Sequence, residues 1–270
     1  IIYAWMAEVS VAKLFLAGFL PGFIACASMM ALSYYYARKY NLPVEQRFSL
    51  QEVGRSTVRA FWALFIPVVI WGGIFLGIAT ATEVAALAVI AALLIGALIY
   101  RELPVREITR VLRDSSGQTA VVMLIVASSA VLGWFLTSEQ IPQKFARMML
   151  DTTSNKYLIL LFLNIFFFIA GMFLHSAAAI ILIVPIVIPL IRQIGVDPIH
   201  FGIIVTINLG VGQQTPPVAT VLFTTAAIAR LPFWEVFKAG WPFTVVLALV
   251  TLLVTYVPWI SLAAVNLVNW

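Results

Sequence analysis

The ten residues VGQQTPPVAT, residues 211–220, lie in the middle of a long apolar segment and decide how the chain folds there. A proline in a helix interior removes a backbone hydrogen bond and clashes with the preceding turn, which costs about 3 kcal/mol or more. Pro216 and Pro217 are adjacent, and Gly210 and Gly212 add backbone freedom just before them. The stretch therefore predicts a helix that breaks inside an apolar run.

The overall composition places this run in a membrane. Hydrophobic residues make up 63% of the 270 residues and charged residues only 10%, whereas a soluble domain is about 25% charged. Runs approaching the roughly 20 apolar residues that cross a bilayer as a helix recur along the chain. We predict them at 14–36, 61–79, 84–100, 119–137, 157–174, 177–191, 201–228 and 241–260. The sequence thus predicts an all-α integral membrane protein with many spans.

The net charge of +5 resides in loops between these runs, which is the pattern of a membrane protein and not of a nucleic-acid-binding patch. The two most basic loops carry Arg38, Lys39, Arg47, Arg55 and Arg59, and Arg101, Arg106, Arg110 and Arg113. We predict that both are cytoplasmic, which puts the TATE turn between them, residues 80–83, on the outer face. A capping-box pattern from Ser49 to Glu52 predicts a short interfacial helix in the first loop. Cys26 is the single cysteine, so the chain forms no internal disulfide.

Two apolar runs, 157–174 and 177–191, are separated only by His175 and Ser176. Two full crossings would leave this short turn at a membrane surface with no Lys or Arg to anchor it. We therefore predict a re-entrant hairpin that enters and leaves on the outer face, with its tip near the middle of the membrane.

A broken helix in hydrocarbon is tolerated where the freed backbone groups are buried in protein or line a polar cavity. Secondary transporters bind ions and anionic solutes at such discontinuities. Gln213, Gln214, Thr215 and Thr220 would add side-chain oxygens at the same level. The competing interpretation is a proline kink whose polar side chains are satisfied within the helix, and we favour the binding site.

Polar residues at the hairpin tip are further candidates for binding. Carbonyls exposed beside Ser176 are suited to a hard cation such as sodium. His175 could titrate or bind an anionic solute, or it could be a satisfied polar group in a turn. Both possibilities for His175 stay open.

Other polar residues are explained by helix capping. Thr80 to Glu83 forms a capping box that favours a structural role for this carboxylate over a functional one. Asp197 followed by Pro198 is typical of a helix N-terminus, which places His200 in the first turn.

Signals for catalysis are poor. The best enzymatic case is a hydrolase that uses Ser176 with His175 or His200, and adjacent residues do not face each other on a helix. Two further hypotheses are an ion channel, which needs a continuous polar pore, and a purely structural membrane subunit. We predict that the chain is neither an enzyme nor the carrier of a cofactor.

Five segments together resemble the large membrane subunit of tripartite ATP-independent periplasmic (TRAP) transporters. The two most specific are GMFLHSAAAIILIVP and GVDPIHFGIIVTINLGVGQQTPPVA, at 171–185 and 195–219. The others are KLFLAGFLPG at 13–22, TATEVAAL at 80–87 and TSEQIPQ at 137–143. Because the chain begins inside an apolar run without an initiator Met, we interpret it as the C-terminal part of such a subunit.

The resemblance implies a sodium-coupled elevator-type importer of organic acids in the bacterial inner membrane, built from two inverted repeats. It implies a small membrane subunit and a periplasmic solute-binding protein as partners. Residues 1–136 would hold the end of the first repeat and scaffold helices, and 137–270 the second repeat, with its hairpin at 157–191 and broken helix at 201–228. Implied ion-binding residues are Gly171, Ser176, Gly210, Gly212, Thr215 and Pro216. Candidate residues for the solute are His175, Ser176, Gln213, Gln214, Thr215 and Thr220.

The chain departs from the family's pattern at three positions. Family members often carry an acidic residue where this chain has His175, a glycine where it has Ala219, and a proline where it has Ala81.

Overall fold

The computed structural model describes residues 1–41, 43, 49–75 and 77–267, which form helices joined by short connections. Arg47, in the first basic loop, lies outside the described residues. Twelve α-helices occur within these ranges: α1 Ile2–Ala7, α2 Val11–Lys39, α3 Leu50–Phe75, α4 Ala81–Leu94, α5 Val105–Ser138, α6 Ile141–Thr152, α7 Lys156–Phe173, α8 Ser176–Gln193, α9 Pro198–Gly212, α10 Thr220–Ala229, α11 Phe233–Tyr256 and α12 Pro258–Leu267. A π-helix, Ile95–Ile99, continues α4.

Seven helical segments in the described part of the chain are long and apolar enough to cross a membrane. Six of them correspond to the predicted runs between 14 and 191, and the seventh is α11. The predicted run at 201–228 is divided between α9 and α10, as the Pro-Pro pair indicates. The prediction of an all-α membrane fold is confirmed.

The larger of two compact units comprises residues 1–39 and 122–270. At its centre α9 packs against α7, α8 and α11, and α2 and α12 pack against each other beside it. Phe167 of α7 and Phe201 of α9 meet edge to face with ring centroids 5.9 Å apart, and both are fully buried. This core fixes the position of the broken helix.

α6 was not predicted from the sequence, because residues 138–156 lie between two of the predicted apolar runs. The segment forms a helix that packs against α8 and buries Ala146 completely. Its apolar residues Ile141, Phe145 and Met149 recur every four positions, which is the signal that identifies such a helix.

The second unit comprises residues 40–121, in which α3 packs against α4. Gly73 of α3 lies so close to Val84 that an added Cβ would be 2.7 Å from its Cγ2. A helix does begin at the capping pattern of Ser49, and it continues without interruption from Leu50 into the span as α3, so it is longer than the short helix predicted. The predicted division of the chain between residues 136 and 137 stays a prediction.

Candidate functional site

The helix break lies between α9, which ends at Gly212, and α10, which begins at Thr220. The last turn of α9 tightens here, since the Gln214 N–H donates to the Val211 carbonyl at 3.1 Å and the Thr215 N–H donates to the Gly212 carbonyl at 2.9 Å. The peptide between Pro216 and Pro217 is cis. The predicted discontinuity is therefore present at the predicted residues.

The chain re-enters the helix through Ala219, which adopts a left-handed backbone conformation with φ of 45°. A Cβ makes this conformation unfavourable by roughly 1–2 kcal/mol, which explains why glycine suits the position. The side chain of Thr220, a predicted solute ligand, lies outside what the structure describes.

The predicted hairpin turn consists of Leu174 and His175, between the end of α7 and the start of α8 at Ser176. His175 is the N-cap of α8, and its Nδ1 accepts a hydrogen bond from the Ala177 N–H at 3.4 Å. Capping of α8 thus gives one nitrogen of this exposed imidazole a structural role. Where the hairpin enters and leaves the membrane stays a prediction.

The helix before the turn and the helix before the break meet at two buried glycines, Gly171 of α7 and Gly212 of α9. A Cβ added to Gly212 would lie 2.6 Å from the Phe168 carbonyl oxygen and 2.8 Å from the Gly171 Cα. Only glycine lets the two backbones approach this closely. Both residues are near the C-terminal ends of their helices, so the two ends converge.

Three further predicted residues lie in the break, and they differ in burial and in hydrogen bonding. Thr215 is buried, and its hydroxyl donates to the Val211 carbonyl at 3.1 Å. Gln214 reaches back to the Gly210 carbonyl at 3.5 Å. The side-chain nitrogen of Gln213 is buried, and no residue that the structure describes is its hydrogen-bond partner.

The predicted residues of the hairpin turn and those of the break differ in their hydrogen-bond partners. Among the described residues, no hydrogen bond joins His175 or Ser176 to the break at 213–219. The face of α9 at Gly210 is open, since no atom lies within 4 Å of a Cβ built there. The structure thus pairs Gly171 with Gly212, and Gly210 is not part of that contact.

Sequence analysis missed a buried polar cluster, formed by Asn164 of α7, Asn208 of α9 and Thr255 of α11. The Asn208 Nδ2 donates to the Asn164 Oδ1, and the Asn164 Nδ2 donates to the Thr255 Oγ1 at 3.1 Å. Each asparagine also donates to a carbonyl of its own helix, those of Leu160 and Ile204. An asparagine inside an apolar run is the signal that could have revealed the cluster, because polar groups in a membrane need partners.

The helix caps predicted from sequence are present. The Thr80 hydroxyl accepts from the Glu83 N–H, and the Glu83 carboxylate accepts from the Thr80 N–H at 2.7 Å. Asp197 accepts from the Ile199 N–H at 2.7 Å, with Pro198 at the first helical position. Both carboxylates are explained by capping, as predicted.

The residues proposed for a hydrolase are not arranged for catalysis. His200 is buried in the first turn of α9, where its Nε2 lies 3.4 Å from the Thr255 carbonyl. It precedes Gly212 by twelve residues, which is about 18 Å along the helix. This histidine therefore lies at the end of α9 far from the break.

Comparison with known proteins agrees with the sequence resemblance. Residues 1–260 match the family described as "Tripartite ATP-independent periplasmic transporter, DctM component". A C4-dicarboxylate TRAP transporter large permease protein, DctM, from Pseudomonas aeruginosa is 37% identical over 270 residues, which are 100% of this chain and 62% of the relative.

Two further relatives are named for other solutes. An isethionate TRAP transporter permease protein, DctMQ, from Oleidesulfovibrio alaskensis is 36% identical over 96% of this chain and 41% of its own length. A sialic acid TRAP transporter large permease protein, SiaM, from Vibrio cholerae is 34% identical over 97% of this chain and 61% of its own length. The chain thus spans about three fifths or less of these curated relatives.

Proposed function

Because the chain belongs to the family of the DctM component of tripartite ATP-independent periplasmic transporters, we propose that it forms the ion- and solute-binding half of a sodium-coupled importer of organic acids. The observation that carries this proposal is the contact of Gly171 and Gly212 beside the helix break.

Family membership confirms two predictions from sequence. The family consists of transporters, so the chain is not an enzyme. With seven apolar helices in the part of the chain that the structure describes, it is a multi-pass protein of the bacterial inner membrane.

A cation site is favoured where α7 and α9 end together. The last carbonyls of a helix lack intrahelical partners, and the aligned peptide dipoles give this end about half a negative charge. Two such ends meet at Gly171 and Gly212, and the buried Thr215 follows within one turn. Backbone and hydroxyl oxygens are the ligands that sodium, a hard cation, would find there.

An anionic solute is favoured at the N-terminal ends of α8 and α10, the helices that follow the turn and the break. The first turn of a helix presents free N–H groups and a partial positive charge, which suits a carboxylate or sulfonate. α8 begins at Ser176 and α10 at Thr220, and Gln213 adds an unpaired side-chain N–H. Dicarboxylate, isethionate and sialic acid, for which relatives are named, are all acids.

The hairpin arm α7 and the broken helix α9 would move as one body in an elevator mechanism. Two contacts support this: the glycine contact at the end of both helices, and the hydrogen bond from Asn208 to Asn164 further along them. Binding of sodium to both ends would hold the turn and the break in the geometry that receives the solute.

We further propose the partners that the sequence resemblance implies. A small membrane subunit would pack on the scaffold helices, and a periplasmic binding protein would deliver the solute. No role in binding nucleic acid is proposed.

The decisive experiment is thermal unfolding of the full-length permease in sodium chloride, compared with potassium or choline chloride at equal ionic strength. Sodium at about ten times its dissociation constant should raise the free energy of unfolding by roughly 1.4 kcal/mol through mass action. Equal stability in all three salts would contradict a sodium site.

Uptake by the assembled transporter in vesicles distinguishes a carrier from a channel. A carrier should accumulate C4-dicarboxylate, isethionate or sialic acid saturably, and only with an inward sodium gradient. Ionic current that does not saturate with solute would favour a channel, and an uptake rate independent of sodium would contradict the coupling.

A further inference from the structure

The smaller unit, residues 40–121, contains an apolar cleft of about 270 Å³ between α3 and the end of α4. Its walls are Trp62 and Phe65 from α3, Leu94 from α4, and Leu98 and Ile99 from the π-helix. These side chains are large and open to the surroundings: Trp62 is 45% exposed and Leu98 is 67% exposed. Large exposed apolar side chains of this kind are suited to the hydrocarbon core of a bilayer.

The π-helix shapes this cleft. The Tyr100 N–H donates to the Ile95 carbonyl at 2.9 Å, five residues back, so the last turn is wider than an α-helical turn. The chain then folds back over it, because the Glu102 N–H donates to the Gly96 carbonyl at 3.0 Å and Leu103 packs where a side chain at Gly96 would be. A π-helical turn of this kind is frequent at functional sites.

Two arginines lie close in the chain to residues that line one end of the cleft. The Tyr100 hydroxyl donates to the Arg59 carbonyl at 2.9 Å, which joins the end of the π-helix to the turn of α3 that precedes Trp62. Arg101 follows Tyr100 directly and lies outside the helix with φ of 56°. The exposed residues Arg59 and Arg101 are therefore both anchored at the same end of the cleft.

Some arginines of the smaller unit have a carboxylate partner. Arg55 lies 3.7 Å from Glu52 and Arg110 lies 3.7 Å from Glu107. In the described part of the chain, neither Arg59 nor Arg101 takes part in an ion pair. Their guanidinium groups are available to an anion, and guanidinium binds phosphate oxygens in a bidentate geometry.

We propose that this cleft is a binding site for an anionic phospholipid. One acyl chain lies against Trp62 and Leu98, and the phosphate is held by Arg59 and Arg101. Basic residues beside a membrane helix attract anionic lipid, and the apolar walls add the selectivity for a lipid over a free phosphate. The occupant follows from the combination of hydrocarbon-lined walls and unpaired positive charge at one end.

The test uses the full-length permease in detergent, with lipid binding counted by native mass spectrometry. Phosphatidylglycerol and phosphatidylcholine with identical acyl chains are offered as an equimolar mixture. The wild-type protein should retain phosphatidylglycerol in preference, and each of Arg59→Gln and Arg101→Gln should lower that preference about fivefold. Arg113→Gln, which removes an exposed arginine of α5, a helix with no residue among those that line the cleft, is the matched control and should have no effect.

A second variant tests the apolar half of the site. Leu98→Trp fills the cleft without changing charge, so it should reduce the amount of phosphatidylglycerol retained while glycerol 3-phosphate at millimolar concentration should displace none. Three results would overturn the proposal: no preference in the wild-type protein, equal effects of Arg113→Gln and Arg59→Gln, or displacement of the lipid by glycerol 3-phosphate.

Discussion

Gly171 and Gly212 touch through their backbones, at the point where the arm before the hairpin turn crosses the end of the broken helix. They are separated by many residues in sequence, and no side chain lies between them. This contact brings two helix C-terminal ends together, and the proposed cation site depends on it.

Substitution of Gly212 by alanine should destabilise the protein. The new Cβ would meet the Phe168 carbonyl oxygen at 2.6 Å and the Gly171 Cα at 2.8 Å, and backbone atoms cannot rotate away. Overpacking of this kind costs about 1–3 kcal/mol, which thermal unfolding of the full-length permease would measure. Gly210→Ala is the control, because its Cβ would have no atom within 4 Å and should be neutral or stabilising. Equal stability of the two variants would contradict the close contact.

Substitution of Ala219 by glycine should stabilise the protein. Ala219 has φ of 45°, and glycine removes the clash of the Cβ in this left-handed conformation, worth about 1 kcal/mol. Ala227→Gly in α10 serves as the control, because glycine in a regular helix costs about 1 kcal/mol. Opposite shifts of the unfolding temperature are expected, and a loss of stability in both variants would rule out backbone strain at Ala219.

The asparagine cluster should couple α7, α9 and α11 energetically. Asn208→Leu removes the hydrogen bond to Asn164, and Thr255→Val removes another partner of the same side chain. Hydrogen bonds between membrane helices contribute about 0.6–2 kcal/mol each, and the double variant should differ from the sum of the two by at least about 0.5 kcal/mol. Thr206→Val is the control, since the hydroxyl of this exposed residue donates to the Gly202 carbonyl of its own helix. Strict additivity would show that the cluster does not act as a unit.

Thr215 should contribute an oxygen to sodium binding. Its buried hydroxyl lies within one turn of Gly212, and Thr215→Val removes that oxygen with little change in shape. We expect a higher sodium concentration for half-maximal uptake, with a tenfold rise corresponding to about 1.4 kcal/mol. Thr206→Val again controls for the loss of a threonine hydroxyl on the same membrane segment, and an unchanged sodium dependence would exclude Thr215 as a ligand.

Much of the fold could be predicted from sequence because its determinants are local. The apolar runs specify membrane helices, the Pro-Pro pair ends α9, and the Thr80 and Asp197 caps start α4 and α9. Where local signals were weak, the prediction was incomplete. The capping pattern at Ser49 marks the start of a helix but not its length, since α3 runs on through the span, and the amphipathic α6 was not predicted.

The amino-acid sequence by itself determined that this is a helical membrane protein of a transporter family, with a turn at His175 and a break at Pro216. Tertiary structure alone decided that Gly171 meets Gly212. It also decided that Asn164 forms hydrogen bonds with Asn208, 44 residues away, and with Thr255, 91 residues away. Helix boundaries depend on backbone chemistry within one or two turns, which the sequence contains directly. Contacts between helices depend on how whole faces pack against each other, and no local pattern specifies which faces those will be.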